Sequence, residues 1–205
     1  MGLIYKIQTA ILRVIGDIQY YGWKHPFWFA FKPAGYKLKG EDYRIVKNII
    51  QPGDILLQRW EGWIDKWFIP GFWNHAGIYV GGHKEQVVHA VSEGVLIEDL
   101  INFMRTDHLI ILRAKKENVD KALEKVWNII GSEYDFSFDF TNSRRFSCTE
   151  VIDYCFPEIL ERKSYFGRQT ITPDSIAENA ELVKIWDSRE VVKTCRTRLI
   201  RRRNG

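Results

Sequence analysis

The run Asn74-His75-Ala76-Gly77-Ile78-Tyr79-Val80-Gly81-Gly82-His83-Lys84-Glu85-Gln86-Val87-Val88-His89-Ala90-Val91 reads as two β-strands, His75 to Val80 and Gln86 to Val91, joined through Gly81-Gly82-His83-Lys84. β-Branched and aromatic residues fill both strands, and the glycines supply the backbone freedom that a hairpin turn needs. The register decides what the two histidines do. With a loop of three or five residues, Val80 faces Lys84 or Tyr79 faces Glu85, and His75 and His89 become cross-strand partners on one sheet face. A loop of four would throw them onto opposite faces. Either imidazole alone fits an ordinary half-buried residue; the two together make a base and the group that orients it.

Further strands lie on both sides of this hairpin. Pro52-Gly53-Asp54 is a turn that launches Ile55 to Gln58, while Val95 to Glu98 and His108 to Ala114 read as strands with a short helix, Asp99 to Arg105, between them. Trp60 to Trp73 reads as a short helix ended by Pro70-Gly71. Glu117 to Ile130 is the clearest helix, with Val119, Leu123, Val126 and Ile130 on one face and Gly131 placed to cap it. Other helices begin at Cys148 and at Thr172-Pro173, and Glu181 to Trp186 closes the pattern as a strand. The expected class is α+β, a mostly antiparallel sheet packed against helices.

Residues 1–49 read as an arm. Ile4, Ile7, Ile11, Val14, Ile15 and Ile18 recur at helical spacing, and the aromatic-rich stretch to Tyr36 is broken by Gly22, Pro26, Pro33 and Gly35. Residues 50–190 form the expected catalytic domain and 191–205 a basic tail. The net charge of +4 belongs to that tail: removing the five arginines of the last ten residues leaves −1, so no nucleic-acid partner is expected. No run approaches the eighteen or so apolar residues of a membrane span, and no secretory signal is legible. The expected setting is intracellular, with peripheral membrane contact open to the arm or the tail. Three cysteines without CxxC spacing exclude a disulfide framework.

Cys148 stands at the start of a helix whose free N–H groups favour a thiolate. A lone cysteine there is more often a small apolar residue; a base beside it changes the reading. If the Cys148 helix packs on the face that carries His75 and His89, then nucleophile, base and orienting group fall in line. Cys155, seven residues on, reads as core, and Cys195 as a bystander beside the tail. His75, His89 and Cys148 lack the fourth ligand of a structural zinc site, and neither metal nor cofactor is expected.

Four segments in order, Pro52-Gly53-Asp54-Ile55-Leu56-Leu57, Asn74-His75-Ala76-Gly77-Ile78-Tyr79-Val80, Gly131-Ser132-Glu133-Tyr134-Asp135 and Phe146-Ser147-Cys148-Thr149-Glu150-Val151-Ile152, resemble the circularly permuted papain-like amidases. This is the YaeF/YiiX-type branch of the NlpC superfamily, to which lecithin retinol acyltransferase and a poxvirus protein group are also related. The resemblance spans residues 50 to 187 and implies Cys148 as nucleophile, His75 as base and His89 as the third polar group. It also matches Tyr134 and Asp135 to a recurrent pair near the site. Trp73, Tyr79, Tyr134 and Asp135 are candidates to line the substrate groove. The implied activity is hydrolysis of an amide or ester bond in a small-molecule, lipid or peptide substrate through an acyl-enzyme, with acyl transfer or lipid binding without turnover as alternatives.

Overall fold

The computed structural model describes residues 3–16, 19–20, 29–30, 36–61, 71–141, 144–165 and 168–190. Helix α1 (Leu3–Gly16) is followed by the paired two-residue strands β1 (Gln19–Tyr20) and β2 (Phe29–Ala30), then by helix α2 (Gly40–Ile49). Next come β3 (Ile55–Arg59), β4 (His75–Gly81), β5 (Gln86–Val91), β6 (Gly94–Asp99), α3 (Leu100–Phe103) and β7 (His108–Arg113). Helix α4 (Lys116–Val126) runs into a 3-10 turn at Trp127–Ile129, and α5 (Cys148–Cys155) follows. The small hairpin of β8 (Lys163–Tyr165) and β9 (Arg168–Thr170), helix α6 (Pro173–Ala177) and β10 (Val183–Asp187) complete the chain as described.

Six of the strands form one sheet in the order β10-β7-β3-β4-β5-β6, with every neighbouring pair antiparallel. The central strands are apolar without alternation because both faces are covered. Ile55, Leu57, Ala76, Ile78, Val80, Val88, Ala90, Ile110 and Leu112 point to one face, where they meet Ala122 and Val126 of α4, Val151 and Ile152 of α5, and Ile176 of α6. Leu56, Tyr79, Val87, Leu109 and Ile111 point to the other, where Val46 of α2, Leu100 and Phe103 of α3, and Trp186 lie.

Helix α2 and the β8–β9 hairpin are additions to the elements expected from the sequence. Only Val46 of α2 is fully buried, and the helix is otherwise polar, so its apolar signal is thin. It nevertheless covers the sheet: Tyr43 and Lys47 both hold Glu85 of the β4–β5 loop at 2.5 Å, and Lys37 N–H donates to Asp107. Residues 36–49, which composition alone assigns to the arm, therefore pack on the sheet. The helix expected over Trp60 to Trp73 falls largely on residues 62–70, and these, the basic tail and Cys195 lie outside the described residues.

The turn before β3 is tied down by one charge. Asp54 is 1% exposed and receives both Nε and Nη2 of Arg113 at 2.7 Å, together with the N–H of Gln51 at 2.8 Å. Arg113 also donates to the Ile49 carbonyl, which links β7 to the end of α2. A buried carboxylate bound in this way holds its partners firmly, because removing it strands a half-buried guanidinium. Asp54→Ala should lower the unfolding free energy by about 3 kcal/mol, read as a reduced urea midpoint with unchanged slope.

Candidate active site

The β4–β5 connection, residues 82–85, is four long, the length that by simple counting separates the histidines. A bulge overturns that count. Gly81 pairs with Gln86, but Tyr79 pairs with Val87, so Val80 is an extra residue in β4. Beyond it the register runs Ile78↔Val88 and Gly77↔His89. His75 and His89 therefore share a face as diagonal neighbours, and the direct pairing expected from the sequence is replaced by an offset of two residues. Without the bulge, His89 would sit opposite Ile78 and project to the other side.

His75 Nε2 lies 2.8 Å from His89 Nδ1, and the rings meet edge to face with centroids 5.1 Å apart. Phe103 packs on both rings, at 5.9 and 5.2 Å, and Trp60 stacks on His75 at 5.4 Å. Gly77 leaves room for this arrangement: a methyl group there would come within 2.9 Å of Phe103 and of Val87. Glu98 lies next to the pair, its Oε2 3.3 Å from His89 Nε2 without the geometry of a hydrogen bond. The two-residue turn Ser92-Glu93 pairs Val91 with Gly94 and Val87 with Glu98, which places Glu98 diagonal to His89 on one face. That short turn was the available signal for a residue which reading the sequence alone passed over.

Cys148 approaches from the other side of the sheet. Helix α5 packs on β4 among Ala76, Ile78 and Val80, whereas His75 and His89 face Phe103. The expectation that helix and histidines share a face is thus corrected. The link between them runs through the backbone: the N–H of Ala76 is directed to the Cys148 sulfur, and the β4–β5 pairing stops at Gly77↔His89. Ala76 is bonded directly to His75 in the chain. Among the described residues no hydrogen bond joins Cys148 to either histidine.

Burial sets the charge state of both groups. Cys148 is 6% exposed, and loss of solvent pushes its thiol up to about 11, outweighing the N–H groups of Ala76, Thr149 and Cys148 that favour the thiolate. The expected helix-terminus activation is present but is overridden. His75 is held well below 6.5, first by burial and then by the neighbouring His89. At rest the Cys148 thiol and the His75 imidazole are both neutral. Since Nε2 of His75 is engaged by His89, Nδ1 is the atom left to receive a proton.

Asn74 also belongs to this constellation. It is 2% exposed, its Oδ1 accepts the Trp60 N–H at 3.3 Å, and its amide nitrogen has no partner among the described residues. The Trp60 contact settles which end of the amide is oxygen, so the orphan is a buried donor one residue from His75. The groove candidates fare differently. Trp73 and Tyr79 are core residues at 2% and 7% exposure, one on each face of the sheet. Tyr134 packs partly buried on the core, and Asp135 is buried with its oxygens turned to the N–H groups of Ser137 and Asp139. Cys155 is core, its thiol pushed up to about 12 by burial.

A family model described as permuted papain-like amidase enzyme, YaeF/YiiX, C92 family, matches residues 49–199. The crystal structure of metalloprotein yiiX from Escherichia coli O157:H7 is similar in fold: the chains are 18% identical, the match covers 68% of this chain and 98% of that one, and the TM-score is 0.58. No curated protein matches the sequence significantly. Among the described residues of the present chain, no group of three or more His, Cys, Asp or Glu side chains is arranged to hold a metal ion.

These charge states have a direct readout. Iodoacetamide should alkylate Cys148 slowly at pH 7, with a rate that rises about tenfold per pH unit up to pH 9 and shows no plateau, since only the thiolate reacts. The His75 ring should keep its neutral 15N chemical shifts from pH 8 down past 6.5.

Proposed function

The chain belongs to the permuted papain-like amidases of the YaeF/YiiX type, the C92 family, and on that premise we propose that it is a cysteine hydrolase which cleaves an amide or ester bond through a Cys148 acyl-enzyme. The observation that supports this reading is that the Cys148 sulfur faces the N–H of Ala76, the residue bonded to His75, whose ring is in turn held by His89. With both groups neutral at rest, the proton moves as the sulfur attacks: the Cys148 S–H bond breaks toward Nδ1 of His75 while sulfur bonds to the substrate carbonyl carbon. His89 steadies His75 from the far nitrogen, with the Glu98 carboxyl 3.3 Å from the other nitrogen of His89. The imidazolium then protonates the leaving amine or alcohol, and water, activated by the same imidazole, releases the acid.

The developing oxyanion requires donors that are not satisfied beforehand. The Cys148 N–H is one. The buried amide of Asn74, without a partner among the described residues, is proposed as a second. The placement of α1 supports a lipid-derived acyl donor. Tyr5 OH and Gln8 Nε2 donate to the carbonyls of Tyr134 and Phe136, docking the helix beside the loop that follows α4, while Leu3 and Ile4 stay 73% and 83% exposed. An amphipathic helix anchored in this way with its apolar side bare suits contact with a bilayer that presents the substrate.

p-Nitrophenyl esters of short and long acyl chains test the chemistry. A stoichiometric burst with acyl mass on Cys148, absent in Cys148→Ala, is the expected result, and long-chain esters in vesicles should react faster than short ones in solution. Acylation that persists in Cys148→Ala would sink the assignment. His75→Ala should lower the acylation rate by about 10²- to 10⁴-fold, and Asn74→Ala by about 10²-fold with little change in KM.

A further inference from the structure

Strand β3 carries a buried polar residue beside the imidazole pair. Gln58 is 1% exposed and lies directly opposite His75 of β4, which puts both side chains on one face of the sheet. A primary amide buried there is costly unless it is bonded. Its Nε2 donates to the carbonyl of Phe103, the last residue of α3. The N–H groups of the turn after α3 are engaged elsewhere: Met104 binds the Leu100 carbonyl, Arg105 that of Asn102 and Thr106 that of Met104. The Phe103 carbonyl is thus left to the Gln58 side chain, as the open carbonyls of a helix end require some partner. A helix of one turn has no stability of its own. Helix α3 is held at both ends, by the Leu100 N–H on the Glu85 carbonyl and by Gln58 on the Phe103 carbonyl.

We propose that Gln58 is a positioning residue for the imidazole pair: by holding the Phe103 carbonyl it keeps the Phe103 ring over His75 and His89 and keeps water from both. The ring meets both imidazoles, with centroids 5.9 and 5.2 Å away, and Trp60 covers His75 at 5.4 Å. Gln58 acts through Phe103 and not on the reacting atoms. Without its amide the Phe103 carbonyl is an unpaired buried acceptor, a cost relieved by moving the end of α3 toward water and the ring with it. The imidazoles then regain solvent. His75 is held below 6.5 first by burial and then by His89, the titratable group that faces it, while Trp60 and Phe103 bring no charge. Removing the first of those causes lets the ring protonate at higher pH.

The titration of His75, followed by 15N NMR without substrate, reads this directly. Gln58→Met keeps the length and bulk of the side chain but has no donor, and Phe103→Leu keeps apolar burial but lacks the ring. In both, the His75 midpoint should rise by about one pH unit or more toward the ordinary value of 6.5. Ile111→Val, which loosens the same face from β7, two strands away from β4, should leave the midpoint where it is in the wild type. A merely structural loss of packing would move all three alike. In the unaltered protein the Gln58 side-chain amide protons should exchange slowly with solvent and correlate with the Phe103 carbonyl carbon across the hydrogen bond. The catalytic consequence rests on the proposed hydrolase: with His75 as base, the acid limb of the Cys148 acylation profile should move to higher pH in Gln58→Met by the same amount. Absence of acylation in the wild type would sink the hydrolase reading and leave the titration result standing. An unmoved His75 midpoint in Gln58→Met, an equal shift in Ile111→Val, or a fast-exchanging Gln58 amide would each overturn the positioning role, the last even if no variant folds.

Discussion

One additional residue in β4, Val80, governs the geometry on which the site depends. In an antiparallel pair the side chains alternate between faces, so a shift of one residue exchanges every position for its opposite. The four-residue connection begins the hairpin in the wrong register, and the bulge restores it before the histidines are reached. The consequences extend beyond the pair. Phe103 can cover both imidazoles because Gly77 lies beneath it, and α3, which supplies Phe103, joins α2 in closing that face.

The second constraint is exclusion of water. Burial drives Cys148 upward and His75 downward, so each favours its neutral form. A site of neutral groups stores no ion pair, and in the proposed mechanism its proton moves only as the sulfur attacks a bound carbonyl. Glu150 follows the same rule: burial pushes its carboxyl up to about 7.

Much of the frame was legible in the linear chain because its signals are local. The Gly-Gly turn, the apolar run at Ile55, Thr172-Pro173 at a helix start and the periodicity of Val119, Leu123 and Val126 each depend on neighbours within one or two turns. What escaped is equally particular. Helix α2 buries a single valine and holds its place through Tyr43 and Lys47 on Glu85, a contact across some forty positions that no window reveals. Glu98 was hidden for a similar reason: its relation to His89 passes through the register of a second hairpin.

Sequence by itself determined that Cys148 opens a helix, that His75 and His89 lie on adjacent strands, and that an antiparallel sheet flanked by helices surrounds them, because residue type, spacing and turn chemistry act over short range. Motif order carried it to the family. Tertiary structure alone decided which face each histidine occupies, that the Cys148 helix packs on the opposite one, and that thiol and imidazole rest uncharged. Those outcomes depend on a bulge and on burial, and the energies that select them exist only once distant segments have excluded water together.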